Sequence, residues 1–317
     1  MKRFDISVVG ELNADLILYG LPATLEPERE HLAKDFAITL GSSSAIFAHN
    51  ISLLGSRVGF TSSIGGDPLG KFCVNRLEES GVDVSGVKVL SGKTTGVSVI
   101  LPLSKQRQIL TYLGTTLDLQ VAHLDMNYLR SASHFHLSSF FLLRGLRLSI
   151  PELFSQMKRS GLTTSLDTND DPEDLWGDDV KSVLNSVDIF LPNEREACKL
   201  AGTKDVRDAL ETLSRLVPIV VIKCGPQGVV AKRGKNRFHV PSLSVQPVDT
   251  IGAGDSFNAG FLHKFMLRCN LEECLEYGNA VAALSTTRAG GTEALRDRTH
   301  RESFLQTSAS PRKRGVS

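Results

Sequence analysis

The chain has 317 residues, of which 41% are apolar and 22% are charged, and its formal net charge is +1. This is an ordinary globular composition, and the balanced charge gives no electrostatic indication of nucleic acid or a membrane surface as a partner. Five cysteines form no Cys-x-x-Cys pair, which indicates free thiols in a reducing compartment. The N-terminal apolar run is too short for a signal peptide and no window is long enough to span a membrane, so we expect a cytoplasmic protein.

The chain opens with a predicted buried strand at residues 4–9, which ends at Gly10. A dinucleotide-binding unit would continue as Gly-x-Gly-x-x-Gly, but this chain continues Glu11-Leu12-Asn13-Ala14-Asp15, so the sequence argues against a dehydrogenase. Asn13 and Asp15 lie just past the carboxyl end of the strand, where ligands bind in open α/β sheets. Short polar side chains there suit sugar hydroxyls, although an Asx-rich turn would contain the same residues.

The next segments supply further predicted elements. A loop region with Pro22 and Pro27 leads to Gly41 and three serines, which are predicted to cap a helix that ends at Gly55. A strand is predicted at 58–64 and a helix from Pro68 to about residue 81. Two β-rich runs, 94–101 and 108–113, are joined by a polar turn at 104–107 and predict a hairpin.

Predicted strands and helices alternate through the rest of the chain. The predicted strands cover residues 134–138, 163–167, 187–191 and 219–223, with a hairpin at 228–232 and 237–240. The predicted helices cover residues 146–160, 193–200, 205–216 and 271–287. This order predicts an α/β fold with a mostly parallel sheet sandwiched by helices.

Two turns after predicted strands carry polar or glycine residues. Asn193 and Glu196 have the spacing of a helix capping box, in which one Glu196 oxygen is expected to bind the cap and the other to stay free. Lys223 ends a Val- and Ile-rich strand and is followed by Gly225 and Gly228 in a tight turn. Either motif could be purely structural.

Residues 249–257 read Asp-Thr-Ile-Gly-Ala-Gly-Asp-Ser-Phe and run into a helix with phenylalanines at every fourth position. Gly252 and Gly254 are expected to take tight, left-handed geometry that aligns several N–H groups at the positive end of this helix. Such a turn binds anions, and Asp255 at its edge could accept a proton from an attacking hydroxyl. An Asp that merely caps the helix is the alternative.

These nine residues closely resemble the C-terminal signature of the ribokinase-like (PfkB) carbohydrate kinases, and the resemblance extends from residue 4 to about residue 300. It implies a ribokinase-like fold, in which residues 1–307 form one kinase domain. Residues 308–317, which are rich in Ser, Lys and Arg, are predicted to form a disordered tail. The resemblance also implies a small β lid made of segments at about 12–40 and 92–115, which closes over the sugar and excludes water.

The resemblance implies ATP and Mg²⁺ as cofactors and a set of site residues. Asp255 would be the catalytic base, with the N–H groups of Gly252, Ala253 and Gly254 stabilising the transferred phosphoryl group. Glu196 would hold Mg²⁺ through water. The residues implied in nucleotide binding are Asn193, Lys223, Gly225, Gly228 and Asn279.

The residues implied in acceptor binding are Asn13, Asp15, Gly41, Ser42, Arg107 and Asp255. The chain departs from the family pattern at two of these positions, since Ser42 stands where a second glycine is usual and Ile46 where an asparagine is usual. The contacts of ribose-like sugars therefore do not transfer intact. Arg107, at a hairpin tip, could equally be a solvated side chain.

From this resemblance we expect an ATP-dependent kinase acting on a primary hydroxyl of a small sugar or sugar acid. A nucleoside kinase of the same fold, or a non-catalytic sugar- or nucleotide-sensing relative, is the alternative. The resemblance also allows a monovalent cation such as K⁺ near the anion-binding turn and a homodimer formed through the lid. Neither nucleic acid nor a membrane is expected as a partner.

Overall fold

Two β-sheets organise the computed structural model, which describes residues 2–103 and 106–309. The strands are β1 (Phe4–Val9), β2 (Ala14–Tyr19), β3 (Asp35–Leu40), β4 (Val58–Gly65), β5 (Asp83–Leu90), β6 (Val97–Leu103), β7 (Gln106–Tyr112), β8 (Ala132–Ser138), β9 (Thr163–Asp167), β10 (Ile189–Phe190), β11 (Ile219–Lys223), β12 (Val229–Arg233) and β13 (Asn236–Val240).

The helices lie between and after these strands. They are α1 (Ser43–Leu53), α2 (Pro68–Glu79), α3 (Met126–Arg130), α4 (Ile150–Arg159), α5 (Asp178–Leu184), α6 (Glu194–Ala201), α7 (Val206–Leu213), α8 (Ala253–Met266), α9 (Leu271–Ser285), α10 (Glu293–Arg296) and α11 (Arg298–Ala309). Within the described ranges, none of them is both long enough and apolar enough to cross a bilayer.

The large sheet has the strand order β13-β12-β11-β10-β9-β8-β1-β4-β5. The strands from β11 to β5 pair in parallel, and β12 and β13 extend the sheet as an antiparallel hairpin. Parallel strands end at the same edge, so the residues that follow β1, β8, β9, β10 and β11 are brought together there. The predicted α/β fold is confirmed.

Both faces of the large sheet are covered by helices. Successive residues of its strands point to opposite faces, and apolar side chains on each face pack against a separate set of helices. On one face, Phe135 and Leu137 of β8 pack with α3, α4, α5, α6 and α7. On the other face, Ile6 and Val8 of β1 pack with α1, α2, α8 and α9. The phenylalanine stripe predicted for the helix after residue 252 is confirmed, since Phe257, Phe261 and Phe265 stack with centroid distances of 6.1 and 6.4 Å.

The second sheet, which we call the small sheet, has the strand order β3-β2-β6-β7. The predicted hairpin supplies β6 and β7, but the loop predicted around Pro22 and Pro27 is wrong at both ends, where the chain forms β2 and β3. In β2, Ile17 packs inward while Leu16 and Leu18 lie on the opposite face. Apolar residues therefore occupy both faces, and the alternation of apolar and polar residues that identifies a half-buried strand is missing.

The structure also differs from the sequence predictions outside the small sheet. Edge strand β5 was missed because its Ser85 and Gly86 interrupt the apolar pattern. Residues 308 and 309, which were predicted to belong to a disordered tail, lie in α11, and residues 310–317 lie outside the described chain. Residues 104 and 105 of the predicted hairpin turn also lie outside it.

Candidate active site

The turn at residues 249–254, which we call the anion-binding turn, leads into α8. Gly252 is the residue before the helix and has a φ of 69°. A side chain at this position would start 2.8 Å from the Cα atom of Gly291 and 3.1 Å from the side chain of Ile46. Gly252 is therefore required both for its left-handed conformation and for its close contact with the neighbouring loop.

The N–H groups at the start of α8 point out of the helix end. Within the described chain, those of Gly252 and Gly254 have no backbone acceptor outside the helix, whereas that of Ala253 donates to the Thr250 carbonyl oxygen at 3.3 Å. The prediction of left-handed geometry at Gly254 is wrong, because this residue lies in the first turn of α8. The Lys223 Nζ atom lies nearby, at 3.5 Å from the position that a Cβ atom would occupy there, which is an ordinary contact distance.

Asp255 is the third residue of α8, and its side chain is only 8% exposed. It does not cap the helix, because Gly252 occupies the cap position. Burial, followed by the nearby charge of Asp167, raises the pKa of Asp255 to about 7, against the opposing effects of Lys223 and the Ser43 hydroxyl. A carboxyl group with such a pKa can accept a proton near neutral pH.

A buried ion pair lies beside Asp255. The Lys223 ammonium donates to Asp167 Oδ2 at 2.6 Å, and Asn258 Nδ2 donates to the same oxygen at 2.5 Å. Burial opposes the positive charge of Lys223, but Asp167 and Glu196 together hold its pKa above the ordinary value. The structure thus fixes a permanent positive charge at the mouth of the anion-binding turn.

Asp167 and Asn258 were not identified from the sequence as site residues. Asp167 is the last residue of a parallel strand, which is a position where ligands bind and is the one signal that the sequence offered. Its partner Lys223 lies 56 residues away, so the pairing depends on the fold.

Asn13 and Asp15 lie at the start of the small sheet, whose Ile17 packs against Ile251 of the anion-binding turn. Burial, followed by the charges of Asp255 and Asp249, raises the pKa of Asp15 to about 7. Gly41 is required because the Asp15 carboxylate fills the space that a side chain would occupy there. The Asn13 Oδ1 atom accepts a hydrogen bond from Thr116 Oγ1 at 3.1 Å.

The two departures at the start of α1 have structural reasons. Ser42 has a φ of 67°, a conformation in which glycine would be unstrained, and its hydroxyl accepts a hydrogen bond from the Asn13 N–H at 2.9 Å. Ile46 is buried against Gly252 and Gly291. At this position the apolar side chain supports the anion-binding turn.

The capping box predicted at the start of α6 is confirmed. Glu196 N–H donates to Asn193 Oδ1 at 3.0 Å, and Glu196 Oε2 accepts from the Asn193 N–H at 2.8 Å. The prediction that the second oxygen stays free is wrong, because Oε1 accepts from Asn193 Nδ2 at 2.5 Å. Burial, followed by Asp167, raises the pKa of Glu196 to about 8.

A cleft of about 1030 Å³ opens beside this capping box. Three of the residues expected to bind the nucleotide line it together, namely Asn193, Lys223 and Gly225. Lys199 and Lys204 lie on the same wall. The cleft is large enough for a nucleotide and has positive charge for its phosphates.

The other two residues expected to bind the nucleotide do not line this cleft. Gly228 has a φ of 92°, and a side chain there would collide with the Val240 carbonyl oxygen. Asn279 donates its amide to the carbonyl oxygens of Val240 and Pro241, at 3.1 Å each. Both residues hold the hairpin of β12 and β13 in place.

Arg107 lies on the face of the small sheet that carries Asp15. Arg107 of β7 pairs with Pro102 of β6, and Asp15 of β2 pairs with Ser98 of β6. Pro102 and Ser98 are four residues apart in the same strand. Side chains separated by an even number of residues share a face of a strand. Arg107 therefore points to the site side of the sheet, although its side chain is exposed.

The chain was compared with known proteins. The model of the "pfkB family carbohydrate kinase" matches residues 3–298. The ribokinase of Haemophilus influenzae is 30% identical over 315 residues, which are 96% of this chain and 99% of that protein.

Two solved structures share the fold over 96% of this chain and 99% of theirs. An Arabidopsis thaliana ribokinase complexed with ribose and ATP has a TM-score of 0.82 and 25% identity. An E. coli protein described as a candidate ribokinase II, in complex with ATP and Mg²⁺, has a TM-score of 0.84 and 26% identity.

Proposed function

Because the chain belongs to the pfkB family of carbohydrate kinases, we propose that it transfers the γ-phosphoryl group of ATP to a primary hydroxyl of a small sugar or sugar acid. One observation carries this proposal. The buried Asp255 carboxyl group, whose pKa is about 7, lies next to both the anion-binding turn and the Lys223 ammonium. A base, a set of N–H donors and a fixed cation are the groups that phosphoryl transfer needs.

Each of these groups has one role in the proposed reaction. Asp255 accepts the proton of the attacking hydroxyl. The N–H groups at the start of α8 and the Lys223 ammonium balance the negative charge on the phosphoryl oxygens. The small sheet acts as the lid, which keeps water from the reacting groups.

Mg²⁺ fits the donor set beside the nucleotide cleft. Burial, followed by the charge of Asp167, raises the pKa of Glu196, and a cation would favour the charged form of both carboxyl groups. We propose that Glu196 holds Mg²⁺ through water. When bound with ATP, the ion neutralises charge on the phosphate oxygens.

Replacement of Glu196 by Gln should raise the Mg²⁺ concentration needed for half-maximal activity about tenfold, a larger effect than its lowering of the melting temperature. The amide oxygen can still accept the hydrogen bond from the Asn193 N–H, but the NH2 group faces Asn193 Nδ2 and the side chain carries no charge toward the metal. The measurement is a Mg²⁺ titration of initial rate beside a thermal melt. If the variant melts lower and titrates Mg²⁺ as the wild type does, Glu196 is only a cap.

The acceptor side of the site favours an unphosphorylated substrate. Residues 10–15 and 41–48 contain no Lys or Arg, whereas Glu11, Asp15 and Asp255 bring three carboxyl groups together. A phosphate dianion near these groups would be repelled by about 1 kcal/mol or more for each close charge. Arg107, on the site face of the lid, is the residue that keeps sugar acids among the proposed acceptors.

A coupled ADP-release screen tests the proposal. It should cover neutral sugars, sugar acids, sugar phosphates and nucleosides, each with and without K⁺, and use the wild type and Arg107→Ala. We expect an unphosphorylated sugar or sugar acid to have the highest kcat/KM. A sugar phosphate or a nucleoside as the best acceptor would overturn the acceptor class. The absence of phosphorylation with every acceptor, together with ligand-induced stabilisation, would identify a sensing relative instead.

We also propose that the lid forms a homodimer. The outer face of the small sheet, opposite to Asp15, is mostly apolar, and exposed Gln108 on β7 is the polar exception among the described side chains. Its exposed members are Phe36 and Ile38 on β3 and Leu110 and Tyr112 on β7, and Leu16 and Val99 continue it on the middle strands. An uncharged face that reaches both edges of a sheet is complementary to a second copy of itself.

Light scattering after gel filtration tests the dimer. The wild type should have twice the mass of one chain, and Leu110→Lys should have the mass of one chain because a charge in an apolar interface is costly to desolvate. Thr111→Lys, on the same strand but the opposite face, is the matched control and should stay dimeric. A monomeric wild type at micromolar concentration would refute the interface.

A further inference from the structure

Two residues beside the site hold left-handed backbone conformations without being glycine. Ser139 follows β8 directly and has a φ of 57°, and Asn169 follows β9 by two residues and has a φ of 52°. A left-handed non-glycine residue costs about 1–2 kcal/mol, and such residues persist where their surroundings require them. β8 and β9 are neighbours in the large sheet, so the two residues lie at the same edge.

The side chains of these two residues meet in one hydrogen-bond network. Asn169 Nδ2 donates to Ser139 Oγ at 2.7 Å and also to Ser43 Oγ. An amide nitrogen has two hydrogens, so Asn169 can serve both hydroxyls at once. Each serine oxygen then accepts from the amide, and each hydroxyl proton remains available for another acceptor.

Both hydroxyls act on buried carboxyl groups. Ser139 Oγ donates to Glu11 Oε1 at 2.6 Å, and the Ser43 hydroxyl is one of the groups that lower the pKa of Asp255. Glu11 is 1% exposed, and its Oε2 atom accepts from Ser44 Oγ at 2.9 Å. The Asn169 amide therefore orients one hydroxyl that donates to Glu11 and another that favours the charged form of Asp255.

We propose that Asn169 is a positioning residue, which aligns the proposed base Asp255 through Ser43. With one Asp255 oxygen engaged by the Ser43 hydroxyl, the other is directed at the acceptor. Ser139 and Glu11 anchor the opposite side of the amide, which prevents it from turning over. This role rests on the proposed function of Asp255 as the base. A network that only ties β8, β9 and α1 together is the alternative.

Asn169→Asp and Asn169→Gly separate these explanations. Aspartate keeps the shape and tolerates the left-handed conformation, but it accepts hydrogen bonds, so the Ser43 proton would turn away from Asp255. Glycine suits the backbone but has no amide. Both variants should lower kcat about 30- to 100-fold and leave the KM for ATP within about twofold, since misplacement of a reacting group has effects of this size. Arg268→Gly is the control for the backbone effect of glycine. Arg268 is an exposed left-handed residue, with a φ of 61°, just after α8, and its replacement should keep wild-type kcat.

Two further results decide the case. Ser43→Ala should lose as much kcat as Asn169→Gly, and the double variant should lose no more than either one, because both act through one hydrogen bond. Independent losses that multiply, or a wild-type kcat in Asn169→Asp with a lower melting temperature, would overturn the proposal.

A readout without turnover keeps the proposal separate from the proposed function. The Asp255 carboxyl group can be titrated by ¹³C NMR, with its resonance assigned by Asp255→Asn. Asn169→Gly should raise the pKa of Asp255, because a hydrogen bond to the charged form is lost while the groups facing it, Asp15, Asp167 and Lys223, stay in place. An unchanged titration overturns the positioning role even if no acceptor is phosphorylated. If Asn169→Gly raises the pKa of Asp255 but the wild type phosphorylates no acceptor, the proposed kinase function is refuted and the positioning role of Asn169 is not.

Discussion

Replacement of Asp255 by Asn should lower kcat about 1000-fold, because an amide cannot take the proton of the attacking hydroxyl. ATP binding should be retained, since the nucleotide cleft is lined by other residues. The fold should also be retained, because the Asp255 side chain does not cap α8. Coupled kinetics and calorimetric titration with ATP measure the two effects. A variant with a tenth or more of wild-type turnover would show that Asp255 is not the base.

The pH dependence of the wild type gives a second measurement of the same group. With a pKa of about 7, Asp255 is protonated in acid, so kcat/KM should fall about tenfold per unit below pH 7 and level off above it. Stability should change in the opposite direction. The folded pKa lies above the ordinary value of 3.8, so this contribution is fully present below about pH 4 and is lost as pH rises through 7. The melting temperature of the wild type should therefore fall as pH rises toward 7, and the share of this fall that comes from Asp255 should be absent in Asp255→Asn.

Replacement of Lys223 by Met should have the second largest effect. Loss of a cation at the anion-binding turn should lower kcat about 100-fold or more, with little change in the KM for the acceptor. The variant should also be less stable, by about 3–5 kcal/mol, because Asp167 would remain buried without its ion-pair partner. Denaturant unfolding and coupled kinetics measure the two effects.

The double variant Lys223→Met with Asp167→Asn distinguishes catalysis from stability. It removes both charges, so the free energy of unfolding should return most of the way to the wild-type value. Activity should not return, because the cation is still missing. If the double variant recovers both stability and activity, Lys223 is a structural residue and the N–H groups of the anion-binding turn act without it.

The sequence was sufficient where a local pattern carries the information. The capping box of Asn193 and Glu196, the glycine turn before α8 and the phenylalanine stripe depend on residues within a few positions of one another, and all three are present in the structure. The alternation of strands and helices likewise predicted the large sheet. Short-range spacing specifies these features before any tertiary contact forms.

The sequence was insufficient where a side chain depends on a distant partner. The ion pair of Asp167 with Lys223 and the contact of Asn169 with Ser43 join residues that are 56 and 126 positions apart. Such pairs become visible only after parallel strands bring their carboxyl ends to one edge. For the same reason the free oxygen predicted for Glu196 was wrong, since a capping pattern does not show that the asparagine amide turns back onto the carboxylate.

Ile17 and Ile100, on the inner face of the small sheet, pack against Ile251 in the anion-binding turn. Asp15 and Asp255 are 5% and 8% exposed, so movement of the proposed lid away from them would also expose this isoleucine contact to water. Because hydrophobic attraction weakens on cooling, the contact would hold the small sheet against the turn less firmly at low temperature.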